Sequence, residues 1–570
     1  MPSPPDAGMA KLFPELDPVI VQLLWNRGLR TQEAVDEFLL PDYGQDLHDP
    51  FLFRQMNAAC ERVWSALRQG EKIVVYSDYD ADGVTGATIL VSTWRAAARL
   101  LGGDPARVAS YIPHREKEGY GLRSAAVETL LAEGMNLLVT VDCGIGAAAE
   151  IAIVRRRGID AIVVDHHHVP AELPDALILH PDVPGETYPF KPLAAAGVAF
   201  KFAAAFIKFV AARGAVLDPG FEKWLLDLVA IATVTDFMPL VGENRTLEKY
   251  GLIVLNKTRR PGLRQLIKAA GLQPGALDTV AVGYQIGPRI NAASRMDHAS
   301  VAFEALMAED DGRAAELAGE LNRLNAARQK QSDAITIEAR RLIQERGVRR
   351  VHLLAGEGWP AGIVGLIAGK LSGETGVPVV IFGRDGDRFV GSGRGVPGFD
   401  LMAGLERAKA HLIRYGGHTL ACGLTISGED NFREFGRILE AYADEVLAGR
   451  DLRPTLDIDA EIRISQADWQ LVDKLQEFEP FGEGNRRPKF LLRGLLVTAV
   501  DPVGKDGKHV RLGVRGDLPR ETRLIGFGLA AAAAAFPPGS RIDAVVEVGI
   551  NEWNGSKTIQ LKIVDLRPAE

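Results

Sequence analysis

Cysteine is almost absent from this chain of 570 residues: Cys60, Cys143 and Cys422 are too few and too scattered for a disulfide framework or a thiolate zinc site. Long apolar runs are missing as well. The longest stretch of small apolar residues, near 529–536, falls well short of the ~20 residues that a membrane-spanning helix needs, and the amino terminus lacks the basic and apolar regions of a secretory signal. These absences predict a cytoplasmic protein with reduced thiols and no membrane segment. Basic charge is in deficit, with 66 lysines and arginines against 74 aspartates and glutamates, a formal net charge of −8. A uniformly basic nucleic-acid-binding surface is therefore disfavoured, and any such binding has to use a local groove. The chain also lacks large self-complementary repeats, which predicts a monomer.

What the chain does have is carboxylates and imidazoles placed where predicted strands stop. The apolar run 72–76 breaks into Asp78, Asp80 and Asp82, followed by Gly83. If the segment stays extended, alternation throws the three carboxylates to one side, where they repel unless cations lie between them. The run 137–141 ends in Asp142, and 161–164 runs into Asp165, His166, His167 and His168. In an open parallel sheet such strand ends converge on one crevice. Asp236 joins them from an apolar, helix-like stretch at 225–236. Each aspartate alone is more simply a turn former or helix cap, and Asp165 is a candidate cap. Together they suggest a metal centre, and hard oxygens with one or two imidazoles suit Mn²⁺ or Mg²⁺.

Two divalent ions at these strand ends make a phosphoesterase the leading reading. Asp142, central among the clusters, is the expected carboxylate shared by both ions. Asp80 would hold one, and Asp82, His166 and Asp236 the other. Such a pair activates water, clamps a phosphate oxygen and stabilises the leaving alkoxide in an in-line attack. His167 is assigned either to the leaving oxygen or to the scissile phosphate, and Asp78 either to a metal or to a hydrogen-bonding partner of the ligands.

The length predicts three or four domains. Residues 1–50 read as a helical leader, with Thr31 capping a helix at 32–40. Alternating strands and amphipathic helices over 51–300 predict a doubly wound α/β domain. A connecting segment at 301–346 contains a long polar helix from 312, either an interdomain bridge or a solvated surface helix. Residues 347–450 read as a second, smaller α/β domain in which small residues would let a phosphate approach donors on Ser392, Arg394 and His418. Five strands over 451–570, with a turn at Asn554-Gly555, suggest a closed barrel of the OB type. There Lys505, Lys508, Arg511, Trp553 and Lys557 would supply charge and stacking to a single strand.

Several strings carry a resemblance. Asp78-Tyr79-Asp80-Ala81-Asp82-Gly83, Val141-Asp142-Cys143-Gly144 and Asp165-His166-His167 resemble the motifs of the DHH phosphoesterase superfamily. Tyr111 to Arg115 with Glu118 to Leu122, Gly287 to Ala293, Gly416-Gly417-His418 and Glu479 to Asn485 are similar, in the same order, to the RecJ branch of that superfamily. The resemblance implies a DHH domain, a DHH-associated domain and an OB domain. It also implies 5′→3′ release of mononucleotides from single-stranded DNA in recombination and repair, with exclusion of duplex. It places a 5′-phosphate pocket at Arg115, Ser392 and Arg394, and contacts near the cut at Arg289, Asn291 and Arg295, which could equally form an interdomain hydrogen-bond network. A single-strand-binding protein and a RecQ-type helicase are the implied partners. Pro360, Ser294 and His180 depart from the residues common at those positions. The competing readings are a phosphodiesterase for short oligoribonucleotides or cyclic dinucleotides, a pyrophosphatase, and a non-catalytic replication scaffold.

Overall fold

A computed structural model describes residues 3–453, 455–553 and 555–569, and the chain divides into two compact units. The larger comprises 50–236 and 254–455; the smaller comprises 1–49, 237–253 and 456–570.

The larger unit begins with five parallel strands, β1 (Ile73–Ser77), β2 (Val108–Tyr111), β3 (Leu137–Val141), β4 (Asp160–Val164) and β5 (Leu177–Leu179), in the order β2-β1-β3-β4-β5. β1 and β3 are buried throughout, as expected of continuous apolar runs in a sheet covered on both faces. The order reverses between β1 and β3, which opens a crevice at their carboxyl ends.

Alternation does not persist to residue 300 as expected. After β5 the described chain has no strand before His352, and helices occupy the interval, among them Ala195–Ala211 and Leu226–Thr235. Both are buried almost all round, and an apolar run of that kind does not reveal by periodicity whether it is strand or buried helix.

The long helix spans Asp311–Arg346, about 54 Å at the usual rise per residue. Its first half buries Ala314, Leu317, Leu321 and Leu324, and its second half places Ile335 and Ala339 in a core with Leu354, Trp359 and Ile363. It is thus a packed bridge rather than a solvated surface helix. The second sheet follows, with β6 (His352–Glu357), β7 (Val379–Asp385), β8 (Arg388–Arg394), β9 (Arg414–His418) and β10 (Ala421–Ser427) in the order β6-β7-β8-β10-β9. Only β6 and β7 are parallel.

In the smaller unit a short β11 (Ala460–Glu461) lies beside β12 (Phe490–Val503). β12, β13 (His509–Arg515), β14 (Thr522–Gly526), β16 (Ser556–Pro568) and β15 (Arg541–Trp553) then close into a barrel through β12–β15 pairing. Asn554 of the expected turn and the Trp553 side chain lie outside the described residues. The leader expected at 1–50 is not a body of its own. Its helices Pro18–Asn26 and Gln32–Leu39, the latter capped by Thr31, bury Ile20, Leu23, Leu24 and Phe38 in the same core as Phe478, Phe490 and Leu512. Among the described residues, no helix is long and apolar enough to cross a membrane.

Candidate active site

The carboxylates after β1 converge for a different reason from the one expected. The strand stops at Ser77, and Asp80 caps the helix Ala81–Leu100, accepting the N–H groups of Asp82 (3.0 Å) and Gly83 (3.2 Å). A tight strand-to-helix turn, not extended alternation, brings the three together. It requires Gly83, because a Cβ there would meet the Asp78 carbonyl oxygen at 2.5 Å. Asp82, fully buried, accepts the N–H groups of Ala195 (2.8 Å) and Ala196 (2.7 Å) at another helix start. Asp142, directly after β3, adopts φ of 60°, a left-handed conformation that costs a non-glycine residue strain and is typical of functional positions.

Three sets of ligand atoms lie within 4.8 Å of one another: Asp78 with Asp80 and Asp142; Asp82 with His166 and Asp236; and Asp142 with His166 and His167. His166 Nε2 stands 3.4 Å from Asp142, 3.5 Å from Asp236 and 3.7 Å from Asp82. One oxygen each of Asp78 and Asp236 is buried without a hydrogen-bond donor. Burial and then mutual repulsion raise the pKa of Asp78 and Asp142, lift Asp82 to about 7 and lift Asp236 to about 9. Burial, reinforced by His167, lowers His166 to about 4, leaving a neutral imidazole with a free lone pair. Crowded, under-bonded carboxylates around a neutral imidazole are the donor set that hard divalent cations satisfy, so the residues fit Mn²⁺ or Mg²⁺.

The adjacent histidine is held differently. His167 Nδ1 lies 2.8 Å from Asp165, Nε2 lies 3.1 Å from the Tyr120 hydroxyl, and its carbonyl pairs with His180 Nε2 at 2.7 Å. Burial opposes its charge, but the Asp165 hydrogen bond together with the charges of Asp165, Asp236 and Asp82 outweighs that and raises its pKa to about 9. Asp165 also accepts the N–H groups of Ile145, His166 and His167. It orients this loop. Tyr120, absent from the sequence-based candidates, sits between Gly119 and Gly121, both at positive φ; that Gly-Tyr-Gly string was the available signal.

Across the same unit, Ser392 and Arg394 on β8 face the helix Ala361–Thr375 at Gly365 and Gly369; a Cβ at Gly365 would crowd the Ser392 hydroxyl at 2.9 Å. Arg394 donates to the Ser392 hydroxyl, which donates to the Cys422 carbonyl, both at 3.0 Å. The Arg115 guanidinium lies over the Tyr79 ring, 4.7 Å from its centroid, and contributes to the electrostatic field on Arg394. His418 is exposed on edge strand β9 and pairs with Ala421, whose other neighbour is Arg394.

Arg295, mostly buried, donates to the Gly362 carbonyl at 2.6 Å. Arg289 donates to Asn322 on the long helix and to the Gln285 carbonyl. Asn291 accepts the Ala81 N–H at 2.7 Å, pinning the start of the helix that carries Asp82. All three thus have hydrogen-bond partners on neighbouring elements.

On the barrel, Lys508 pairs with Asp506 and Lys557 with Glu552, while Lys505 and Arg511 are exposed.

A parallel sheet reversing between β1 and β3, with aspartates and a His-His pair at its carboxyl ends and a mixed-sheet domain beyond a long helix, defines a phosphoesterase of the DHH class. Family models agree: that of the DHH family N-terminal domain matches residues 72–233, that of the DHHA1 domain 347–445, and that of the RecJ OB domain 458–565. The single-stranded-DNA-specific exonuclease RecJ of Bacillus subtilis is 36% identical over 99% of this chain and 70% of its own length. The Thermus thermophilus protein of the same name is 34% identical over 98% of this chain and 76% of its own length, and that of Escherichia coli 30% over 98% and 97%. The crystal structure of Thermus thermophilus RecJ in complex with Mn²⁺ superposes with a TM-score of 0.83 at 30% identity, covering 100% of this chain and 79% of that one. The corresponding Mg²⁺ complex gives 0.77 at 28% identity, with 100% and 78% covered. The chain belongs to the RecJ family.

Proposed function

We propose that this protein is a single-stranded-DNA-specific exonuclease that acts 5′→3′ and releases mononucleotides by metal-dependent phosphodiester hydrolysis in DNA recombination and repair. The observation that carries the proposal is the presence, within one compact unit, of the carboxylate–imidazole cluster and the Arg115, Ser392 and Arg394 group. Asp78, Asp80 and Asp142 would hold one Mn²⁺ or Mg²⁺, and Asp82, Asp142, His166 and Asp236 a second. Bound there, the pair supplies an activated water and neutralises charge at the scissile phosphate.

The protein's own groups do the rest. Arg115 and Arg394 grip a terminal 5′-phosphate with planar, multidentate donors, and the Ser392 hydroxyl adds a third contact. His418 extends this pocket along β9. His167, held cationic and fixed in orientation by Asp165, donates a proton or hydrogen bond to the leaving oxygen through Nε2, the nitrogen now facing Tyr120. Arg289 and Arg295 take the strand beyond the cut, while Asn291 holds the helix start. In this division of labour residues 51–300 catalyse, 301–346 connect, 347–450 bind the 5′ end, and 451–570 bind the single strand downstream.

The working protein is proposed to be a cytoplasmic monomer that receives strands opened by a RecQ-type helicase and coated by single-strand-binding protein. Light scattering and co-purification test those points. The reaction itself is tested with Mn²⁺ and single-stranded DNA labelled at either end, alongside duplex, RNA and cyclic dinucleotide controls. Wild-type protein should release mononucleotides from the 5′ end, and Asp142→Ala should release none. Turnover confined to short RNA or cyclic dinucleotides would move the protein to the small-substrate branch, and inactivity on every substrate would favour a scaffold.

A further inference from the structure

A second basic cavity lies in the larger unit, about 530 Å³ in volume and lined by Arg95, Arg99, Arg259, Arg260, Arg264 and Trp224. Its distance from the metal cluster follows from two helices. Asp80 caps the helix Ala81–Leu100, and Arg95 lies about 20 Å further along it; Asp236 ends the helix Leu226–Thr235, and Asp227 lies about 13 Å back along that one. The cavity therefore sits at the far ends of two helices whose near ends build the metal site.

Its charge is not self-compensated. Arg260 pairs with Asp227 (3.2 Å), Arg99 with Glu309 (2.9 Å) and Arg264 with Asp311 (2.9 Å). Among the described residues Arg95 makes no ion pair and donates to the Val108 carbonyl at 3.0 Å; burial and then the neighbouring Arg99 work against its charge, with Glu309 opposing them in part. Arg259 lies over the Trp224 ring, 4.0 Å from its centroid, and makes no ion pair among the described residues. Five guanidinium groups against three carboxylates leave two positive charges, the complement of a phosphomonoester dianion. Arg260 and Arg264 also flank the amino end of the helix Pro261–Ala269, where the helix dipole disfavours cations unless an anion is present. Arg259 covers one face of the Trp224 ring, so a nucleobase would stack on the opposite face. The volume suits a small ligand and not a folded partner.

We propose that this cavity is a second ligand site that binds a nucleoside 5′-monophosphate, with the phosphate on Arg95 and Arg259 and the base on Trp224. The inference stands apart from the proposed hydrolysis, since binding is read without divalent metal. Labelled dAMP is equilibrated with the full chain in EDTA by dialysis, using wild type, Arg95→Ala/Arg259→Ala, Trp224→Ala and Arg394→Ala. The double variant should weaken dAMP binding at least tenfold and Trp224→Ala severalfold. Arg394→Ala should retain binding at this cavity, and the double variant should still hydrolyse saturating single-stranded DNA at the wild-type rate.

In case the double variant unfolds, phenylglyoxal modification of wild-type protein gives a second reading. Mass spectrometry of the labelled peptides should show dAMP protecting Arg95 and Arg259. Three results would overturn the assignment: unchanged binding in the double variant with no protection; inorganic phosphate competing as well as dAMP with Trp224→Ala silent, which marks a bare arginine cluster; or protection by oligothymidylate but not by dAMP, which marks a strand groove.

Discussion

His166 and His167 are neighbours of one residue type with opposite assignments, and their partners decide the difference. Burial without a carboxylate hydrogen bond keeps His166 neutral; a 2.8 Å bond to Asp165 keeps His167 charged and fixes its ring. Replacing Asp165 by Asn should therefore leave Mn²⁺ binding almost intact while lowering kcat by about 10- to 100-fold, the usual cost of losing an orienting partner next to a metal centre. Single-turnover kinetics with a parallel Mn²⁺ titration checks this, and lost metal affinity would instead make Asp165 a determinant of the ion site. Arg394→Ala removes a charge-assisted partner worth about 1.5–3 kcal/mol, so KM for 5′-phosphorylated DNA should rise about 10- to 100-fold. DNA bearing a 5′-hydroxyl should be far less affected. An equal loss on both substrates would remove Arg394 from the 5′-phosphate pocket.

At the scale of elements, the site depends on where helices begin. The helix Ala81–Leu100 starts at Asp80 and is pinned from outside by Asn291. Asn291→Ala strands the Ala81 N–H and should cost about 1–2 kcal/mol of stability, with a fall in kcat because Asp80 and Asp82 lose their anchor. Thermal unfolding and steady-state kinetics measured together test it; normal stability and kcat with a raised KM would return Asn291 to the role of strand contact. Strand ends were legible in the sequence because apolar runs stop abruptly at aspartates. The geometry of the turn was not, since Asp78, Asp80 and Asp82 read the same whether extended or wrapped around a helix start. Gly83 decides for the wrapped form by admitting the Asp78 carbonyl. Helices such as Ala195–Ala211 were hidden for a related reason: buried on most sides, they show no amphipathic period.

For the whole molecule, the carboxylate cluster is an electrostatic cost, because it repels itself when no cation is bound. Mn²⁺ at about a hundred times its dissociation constant should stabilise the folded chain by about 2.7 kcal/mol, and the effect should vanish in Asp142→Ala. Calorimetry with and without EDTA measures it, and an equal shift in both proteins would point to sites elsewhere. The smaller unit turns on one buried side chain. Arg245 donates to the carbonyls of Phe38, Glu477, Phe478, Glu479 and Pro480, tying the leader and the segment around 478 to the helix Gly242–Leu255 that carries it. Arg245→Ala removes this donor from all five carbonyls, of which Phe478 and Pro480 keep Asn485, and should destabilise this unit by about 3 kcal/mol. Denaturant unfolding followed by leader fluorescence at Trp25 reports the loss; an unchanged midpoint would mean that water replaces the guanidinium.

The amino-acid sequence by itself determined the chemistry of this protein: which carboxylates and imidazoles end which strands, the preference for hard divalent ions, and the closing β-barrel with its regular turns. Those features are local, set by apolar runs and the residues that interrupt them. Only the tertiary structure decided that Asp165 orients His167, that Arg289 and Asn291 are engaged by neighbouring helices, and that the leader packs into the barrel core. Each of those is a contact between residues far apart in the chain or a choice among several acceptors. A polar side chain carries in its sequence the capacity to bond, but the partner is selected by the packing that brings one acceptor within 3 Å and excludes the rest.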